Sequence, residues 1–427
     1  MKSVRFYTFG CKVNQYDTQM MRTAVSSKLN VVDDDCADIF IINTCSVTGE
    51  SERKARQLIR SVSREHPDSK IVVIGCYPQY NPDELRALRV SAILGNACKK
   101  DIVEYLEKID KSEEPVIVIG EVPYEYYDLP ICEFTGHTRA FIKIEDGCDG
   151  SCSYCVVPFV RGRPVSRPID SILKEIKTLE DRGVKEIVLT GIRLGRYRYN
   201  GVGLSELVEK ILQNTSIERI RMSSIELEDI DDKLINLLAS EERVCKHLHI
   251  PLQSGSNKVL QLMNRKYSYE EYKEKVFYLK KRVENLNITT DIIIGFPGET
   301  EEDFQRSLYA VEEIEFGKVH VFSFSIREKT RAVNLPGRLP TELIKERASL
   351  LRHKASIVAK KFKQRFINQV MRVLVEGKTD AICSYLQGFT TNYIRVKIEY
   401  DKLLIGRLIN VKLLKFLNED VYGKEVK

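Results

Sequence analysis

Apolar and polar positions along the first third of the chain switch between two periods. Short apolar runs at 4–9, 39–42, 71–74 and 92–94 read as strands, while 14–28, 48–64, 82–89 and 101–109 carry helical spacing. Strand–helix alternation of this kind predicts an α/β unit with a parallel, doubly wound sheet. From about 138 to 340 the same unit repeats, with strands expected at 140–145, 186–189, 219–223, 247–250, 289–294 and 318–322. Helical stretches at 169–181, 204–212, 270–282 and 301–313 separate them. Six such units predict a partial (β/α)6 barrel, smaller than the closed eight-fold form. Past residue 366 the helical period stops. Strand-like runs at 370–375, 393–398 and 408–414, with turns at Gly377, Gly388 and Gly406, predict a small antiparallel β-barrel. The chain thereby divides into 1–118, a linker at 119–137 marked by Pro123, Pro130 and Tyr124, Tyr126 and Tyr127, then 138–365 and 366–427.

Cysteine placement adds chemistry to this outline. Cys11, Cys45 and Cys76 each fall just past the carboxyl end of an expected strand. In a parallel sheet those ends share one edge, so residues far apart in sequence converge there. A second trio, Cys148, Cys152 and Cys155, follows the first expected barrel strand within Gly147-Cys148-Asp149-Gly150-Ser151-Cys152-Ser153-Tyr154-Cys155. Three thiolates can hold an iron–sulfur cubane and leave one iron open to a ligand, whereas a four-cysteine site only passes electrons. A zinc knuckle would need a fourth Cys or His nearby, and His137 is too far upstream. Cys36, Cys98, Cys132, Cys245 and Cys383 lack metal-like grouping and read as apolar filler.

Bulk properties narrow the setting. With 427 residues there is room for two or three domains. No apolar run is long enough to span a bilayer, and the N-terminus enters a strand pattern directly, so a cytoplasmic protein without signal peptide is expected. Eleven cysteines, an odd number, point to reduced thiols serving metal rather than disulfides. The net charge of +6 is mild, but Lys345, Arg347, Arg352, Lys354, Lys360, Lys361, Lys363 and Arg365 are offset within their stretch only by Glu346. That is either a solvated helix face or a surface that tracks phosphates.

The cysteine motif, with an aromatic before its third cysteine, resembles the radical S-adenosylmethionine (SAM) superfamily. Together with Gly10-Cys11-Lys12-Val13-Asn14-Gln15, Asn43-Thr44-Cys45-Ser46-Val47-Thr48, Gly75-Cys76-Tyr77-Pro78-Gln79 and Arg161-Gly162-Arg163, the chain resembles the methylthiotransferase family over nearly its whole length. Lys12-Val13 is similar to the branch whose substrate is N6-threonylcarbamoyladenosine beside the tRNA anticodon. Other branches act on isopentenyladenosine or on a ribosomal protein side chain. The resemblance implies two [4Fe–4S] clusters and SAM: Cys148, Cys152 and Cys155 for the cluster that cleaves SAM, Cys11, Cys45 and Cys76 for an auxiliary cluster that delivers sulfur. Both would open into one cavity. Tyr154, Gly191, Ser224, Glu226 and Gly295 are then the expected SAM contacts, the Gly295 loop letting backbone approach the adenine. The segment after 366 resembles a TRAM module, which implies RNA contacts by Lys360, Lys361, Lys363, Arg365, Asn392 and Tyr393. Expected partners are a tRNA anticodon loop and an electron donor such as flavodoxin or ferredoxin, with an unspecified sulfur source. Two departures from the family pattern stand out: Arg193 in place of Asn, and Arg327-Glu328-Lys329-Thr330 in place of Arg-x-Gly-Thr. A rival of another class is an RNA-binding protein whose clusters are only structural.

Overall fold

Buried apolar strands in the first third assemble into one parallel sheet. In the computed structural model, which describes residues 1–122, 125–127, 131, 138–379, 384–417 and 419–426, the strands are β1 (Ser3–Thr8), β2 (Asn30–Val31), β3 (Ile39–Thr44), β4 (Lys70–Gly75), β5 (Ala92–Leu94) and β6 (Val116–Val118). Their order is β2-β1-β3-β4-β5-β6, all parallel. The central strand β3 is buried at all six positions, because helices cover both faces, which is what a parallel sheet requires. Helix α1 (Lys12–Ser26) packs one face through Tyr16, Met20, Met21 and Val25. Helix α2 (Gly49–Glu65) packs the other through Ala55, Ile59 and Val62. Thr48 caps α2, its hydroxyl accepting the Ser51 N–H at 3.2 Å. The expected strands and helices are present; β2 and β6 are additions.

Six strands form the barrel: β7 (Ala140–Lys143), β10 (Glu186–Thr190), β13 (Arg219–Met222), β14 (His247–His249), β15 (Asn287–Ile294) and β16 (Lys318–Ser323). Between the first two, β8 (Glu145–Asp146) pairs antiparallel with β9 (Val165–Ser166) around the cysteine loop. A small hairpin, β11 (Arg198–Tyr199) and β12 (Val202–Gly203), follows β10. The sheets β7-β10-β13 and β14-β15-β16 join through the parallel bridges Ile220↔Val244 and Ser224↔His249. Among the described residues β7 and β16 do not pair, so the barrel has an open seam. The N-terminal sheet closes it from both sides. Asp17 on α1 binds Lys143 on β7 at 2.6 Å, while beyond β16 Arg327 binds Glu52 on α2 at 2.7 Å and Lys329 donates to the Tyr80 carbonyl at 2.7 Å. Arg327 and Lys329, the lysine standing where the family pattern has glycine, are thus occupied in holding these two parts together.

The last segment forms a closed barrel, β17 (Val370–Thr379), β18 (Tyr385–Thr390), β19 (Arg395–Glu399), β20 (Leu408–Leu417) and β21 (Asp420–Glu425). It departs from the expected antiparallel pattern at one joint, where β19 and β21 run parallel. Expected features at Pro123, Tyr124, Pro130, Cys132, His137 and Cys383 lie outside the described residues. Of the other filler cysteines, Cys98 and Cys245 are buried, but Cys36 is exposed and fills no core.

Candidate active site

Both cysteine trios sit where strands end and helices begin. Cys11 precedes the first residue of α1, and Cys76 opens the short helix α3 (Cys76–Tyr80). Cys155 lies two residues before the helix Val157–Arg161. Gly10, with φ near +101°, has room for no Cβ: one there would fall 2.7 Å from the Cys45 sulfur. Tight glycine turns therefore bring Cys11 and Cys45 together. Further N–H donors point at sulfur: Val47 to Cys45 at 3.4 Å, Gly150 to Cys148 at 3.2 Å, the Asn96 amide to Cys76 at 3.5 Å and the Arg265 guanidinium to Cys152 at 3.5 Å.

Within each trio the sulfurs feel one another's charge. Burial, with Cys11 and Cys76 beside it, pushes the Cys45 thiol up to about 12. Burial and the neighbouring Cys152 and Cys148 push Cys155 up to about 12. Among the described residues no three His, Cys, Asp or Glu side chains close on a single point as one metal ion would require. Each trio brings three thiols close enough to feel one another's charge, a donor set of the chemistry that a thiolate-bound iron–sulfur cluster uses.

The trios are in mechanical contact. Cys76 and Tyr80 pack against Val156 and Val160, which follow Cys155 directly. Arg161 binds Asp146 at 2.8 Å, Asp17 at 3.1 Å and the Asn14 amide oxygen. Asn14 donates in turn to the Phe9 and Thr44 carbonyls, both at 2.9 Å, next to Cys11 and Cys45. Of the arginines after the cysteine loop, Arg161 and Arg167 are buried in ion pairs, Arg167 with Glu175 at 2.5 Å. Arg163 lines a cavity of about 1170 Å³ that also reaches Cys148 and Phe159.

The expected SAM contacts gather at the carboxyl end of the barrel with unequal freedom. Tyr154 meets Phe296 edge-on with centroids 6.3 Å apart. Gly191 abuts Glu145, whose carboxylate would lie 2.7 Å from an added Cβ. Ser224 bridges to His249, and Glu226 is ion-paired with Arg265. At Gly295 the space a Cβ would take is filled by Ile344, 2.4 Å away, so that glycine serves the packing of helix Thr341–Gln364. Downstream, Thr300 and Asp303 form a reciprocal cap at the start of helix Glu301–Ile314. Arg193 pairs with Asp229 at 3.1 Å and reaches Asp149 in the cysteine loop at 3.7 Å. Arg265 and Glu145 were not singled out from sequence. Nothing in their local pattern marks them, since only the fold brings them to the cysteines.

Two expected RNA contacts are corrected. Asn392 is fully buried, its carbonyl accepting from the Asn287 amide at 2.8 Å. Tyr393 stacks on Phe389 and His247 and lies under Arg221, 4.7 Å from the ring centre. Both fasten the C-terminal barrel to the base of the larger one, where Arg219 and Arg221 donate to the Phe389, Thr391 and Thr390 carbonyls. The basic helix is also less free than its composition suggests. Arg347 is buried against Glu299, Lys354 pairs with Glu312 and Arg365 with Glu315. Lys360 and Lys361 are exposed, and Lys360 and Lys363 both lie over the Phe416 ring. His247 and His249 share the Thr289 hydroxyl at 3.0 and 2.9 Å and are structural.

Residues 142–308 match the radical SAM superfamily, and 3–95 match a family described as uncharacterized protein family UPF0004. The chain is 38% identical over 424 residues to the threonylcarbamoyladenosine tRNA methylthiotransferase MtaB of Thermotoga maritima, covering 99% of this chain and 96% of that one. It is 36% identical to the Bacillus subtilis protein of the same name, covering 97% and 94%. Identity to a tRNA-2-methylthio-N(6)-dimethylallyladenosine synthase of Thermodesulfovibrio yellowstonii is 34%, covering 99% and 98%. Among solved structures, the radical SAM methyltransferase TsrM of Kitasatospora setae superposes with a TM-score of 0.58 at 15% identity, covering 78% of this chain and 77% of that one. At that identity the likeness concerns the fold alone. No helix among the described residues is long and apolar enough to cross a membrane.

Proposed function

The chain belongs to the radical SAM tRNA methylthiotransferases, and on that premise we propose that it exchanges the C2 hydrogen of N6-threonylcarbamoyladenosine, beside the anticodon, for a methylthio group. The observation that carries the reading is the pair of three-cysteine sites, joined by the packing of Cys76 against Val156 and Val160, in a chain with full-length relatives of that activity. An adenine C2–H is too weak an acid for any side-chain base to remove, so a cofactor must supply radical chemistry. Cys148, Cys152 and Cys155 would hold the [4Fe–4S] cluster that works on SAM, and Cys11, Cys45 and Cys76 a second one carrying the sulfur. When bound, these groups supply hydrogen abstraction and the methylthio sulfur.

The protein's own residues hold the parts in place. Arg265 ties Cys152 to Glu226, which fixes the cysteine loop against the third barrel strand. Tyr154 packs edge-on against Phe296 in an apolar cluster beside the loop. The substrate adenine must leave its stack to reach this depth, a smaller cost in a single-stranded loop than in a duplex. Lys360 and Lys361 would meet tRNA phosphates, and an electron donor of the flavodoxin or ferredoxin type would serve the SAM cluster. Lys12-Val13 between Cys11 and Asn14 is the feature that favours threonylcarbamoyladenosine over isopentenyladenosine.

Mass spectrometry of tRNA nucleosides from cells with and without the gene tests this. Loss of the 2-methylthio form of N6-threonylcarbamoyladenosine, with the unmodified parent accumulating, is expected. An unchanged level of that nucleoside, or loss of the isopentenyl derivative instead, would overturn the substrate.

A further inference from the structure

Between the two cysteine trios lies a buried group of charges whose signs do not balance. Asp17 on α1 accepts from Lys143 at 2.6 Å and from Lys99 at 2.7 Å, and is ion-paired with Arg161 at 3.1 Å. Asp146 accepts from Arg161 at 2.8 Å and Lys143 at 3.2 Å. Three cations therefore share two carboxylates. Asp17, Lys99, Lys143 and Arg161 are all buried, so solvent does not offset the difference.

Among the described residues, other neighbours do not supply the missing anion inside this buried group; Glu125, which lines a small cavity with Lys143, Asp146 and Arg161, is exposed to solvent. Glu175 is taken by Arg167 at 2.5 Å. Glu145 is pushed up by burial to about 8 and is largely neutral at pH 7. Burial holds the Tyr126 and Tyr127 phenols above their ordinary range, so they stay protonated. Among the described residues, the buried groups that remain are thiols. Cys11 and Cys76 lie in the field of Arg161, and Cys76 also in that of Lys99. The Asn96 amide nitrogen that reaches the Cys76 sulfur at 3.5 Å also donates to the Val160 carbonyl at 2.7 Å, one residue before Arg161.

We propose that this unbalanced positive charge is the built-in counter-charge of the cluster held by Cys11, Cys45 and Cys76, and that Arg161 is a positioning residue that raises its reduction potential. The inference rests on the proposed assignment of an auxiliary cluster to those three cysteines. A thiolate-bound cluster is anionic, and its potential follows net charge, hydrogen bonding and exposure. A fixed cation beside it favours the added electron. Through Asn14 the same guanidinium also braces the Phe9 and Thr44 carbonyls, and hence the Cys11 and Cys45 turns.

The test is an electron paramagnetic resonance redox titration of full-length reconstituted protein. The background carries Cys148→Ala, Cys152→Ala and Cys155→Ala, so that only the auxiliary cluster reports. Arg161→Gln removes a positive charge and should lower the equilibrium constant for reduction at least tenfold, about 59 mV for one electron. Asp146→Asn removes a negative charge, keeps an oxygen for the Gly147 N–H at 2.9 Å, and should shift the potential in the opposite direction. Arg161→Lys should stay near the parent. A purely structural role would move both neutralising variants the same way or not at all, and either result overturns the proposal. If Arg161→Gln fails to load iron, an absent upward shift in Asp146→Asn overturns it alone. A background protein that binds no iron refutes the cluster assignment itself, and the inference with it.

Discussion

Cys148→Ala is expected to lower 5′-deoxyadenosine formation to under about one hundredth of the wild-type rate, since altering even the groups around a metal ligand costs 10–100-fold. The remaining thiols, Cys152 and Cys155, are two where the cluster needs three. The Gly150 N–H that points at the Cys148 sulfur at 3.2 Å loses its acceptor as well. The fold should survive, because Cys148 is only half-buried and a small truncation there costs about 1 kcal/mol or less. Liquid chromatography of the nucleoside product, beside a thermal melt and a tRNA-binding curve, separates loss of chemistry from loss of structure. Product formation above a tenth of the wild-type rate in a normally folded variant would remove Cys148 from the SAM site.

Cys45→Ala should split the reaction. SAM cleavage is expected to persist within a factor of about three, because Cys148, Cys152 and Cys155 are untouched, while methylthiolated nucleoside falls below about one hundredth. Cys45 is buried, flanked by the Gly10 turn and the Val47 N–H. Its protonated thiol, held up to about 12 by burial and its two neighbours, must lose its proton when iron binds. Loading of the auxiliary site should therefore strengthen as pH rises, since metal competes with the proton. Normal methylthio product from the variant would count against the auxiliary site, and loss of both activities would show that the trios do not work separately.

Much of this was legible in the chain because the relevant signals are local. Strand ends followed by Cys11, Cys45 and Cys76, the Cys148 loop and the Thr300 cap all announce themselves within a few residues. What escaped depends on distant partners. Strand β2 is two residues long, and β21, with Asp420, Lys424, Glu425 and Gly423, carries too little apolar alternation to mark a strand. Asn392 and Tyr393 read as RNA contacts, yet Asn287, His247 and Arg221 pack against them from the other barrel. Asp17, Lys99 and Lys143 look like surface charges until the seam between β7 and β16 is closed by α1. Patterning reports which face of an element is apolar and is silent on charges that are buried together.

The most direct measurement is the iron content of reconstituted protein with each trio removed in turn. Wild-type chain should hold about eight irons, as two cubanes, and replacing either Cys11, Cys45 and Cys76 or Cys148, Cys152 and Cys155 by alanine should leave about four. Iron that disappears entirely on removal of one trio, or stays at the wild-type level on removal of either, would contradict two separate clusters.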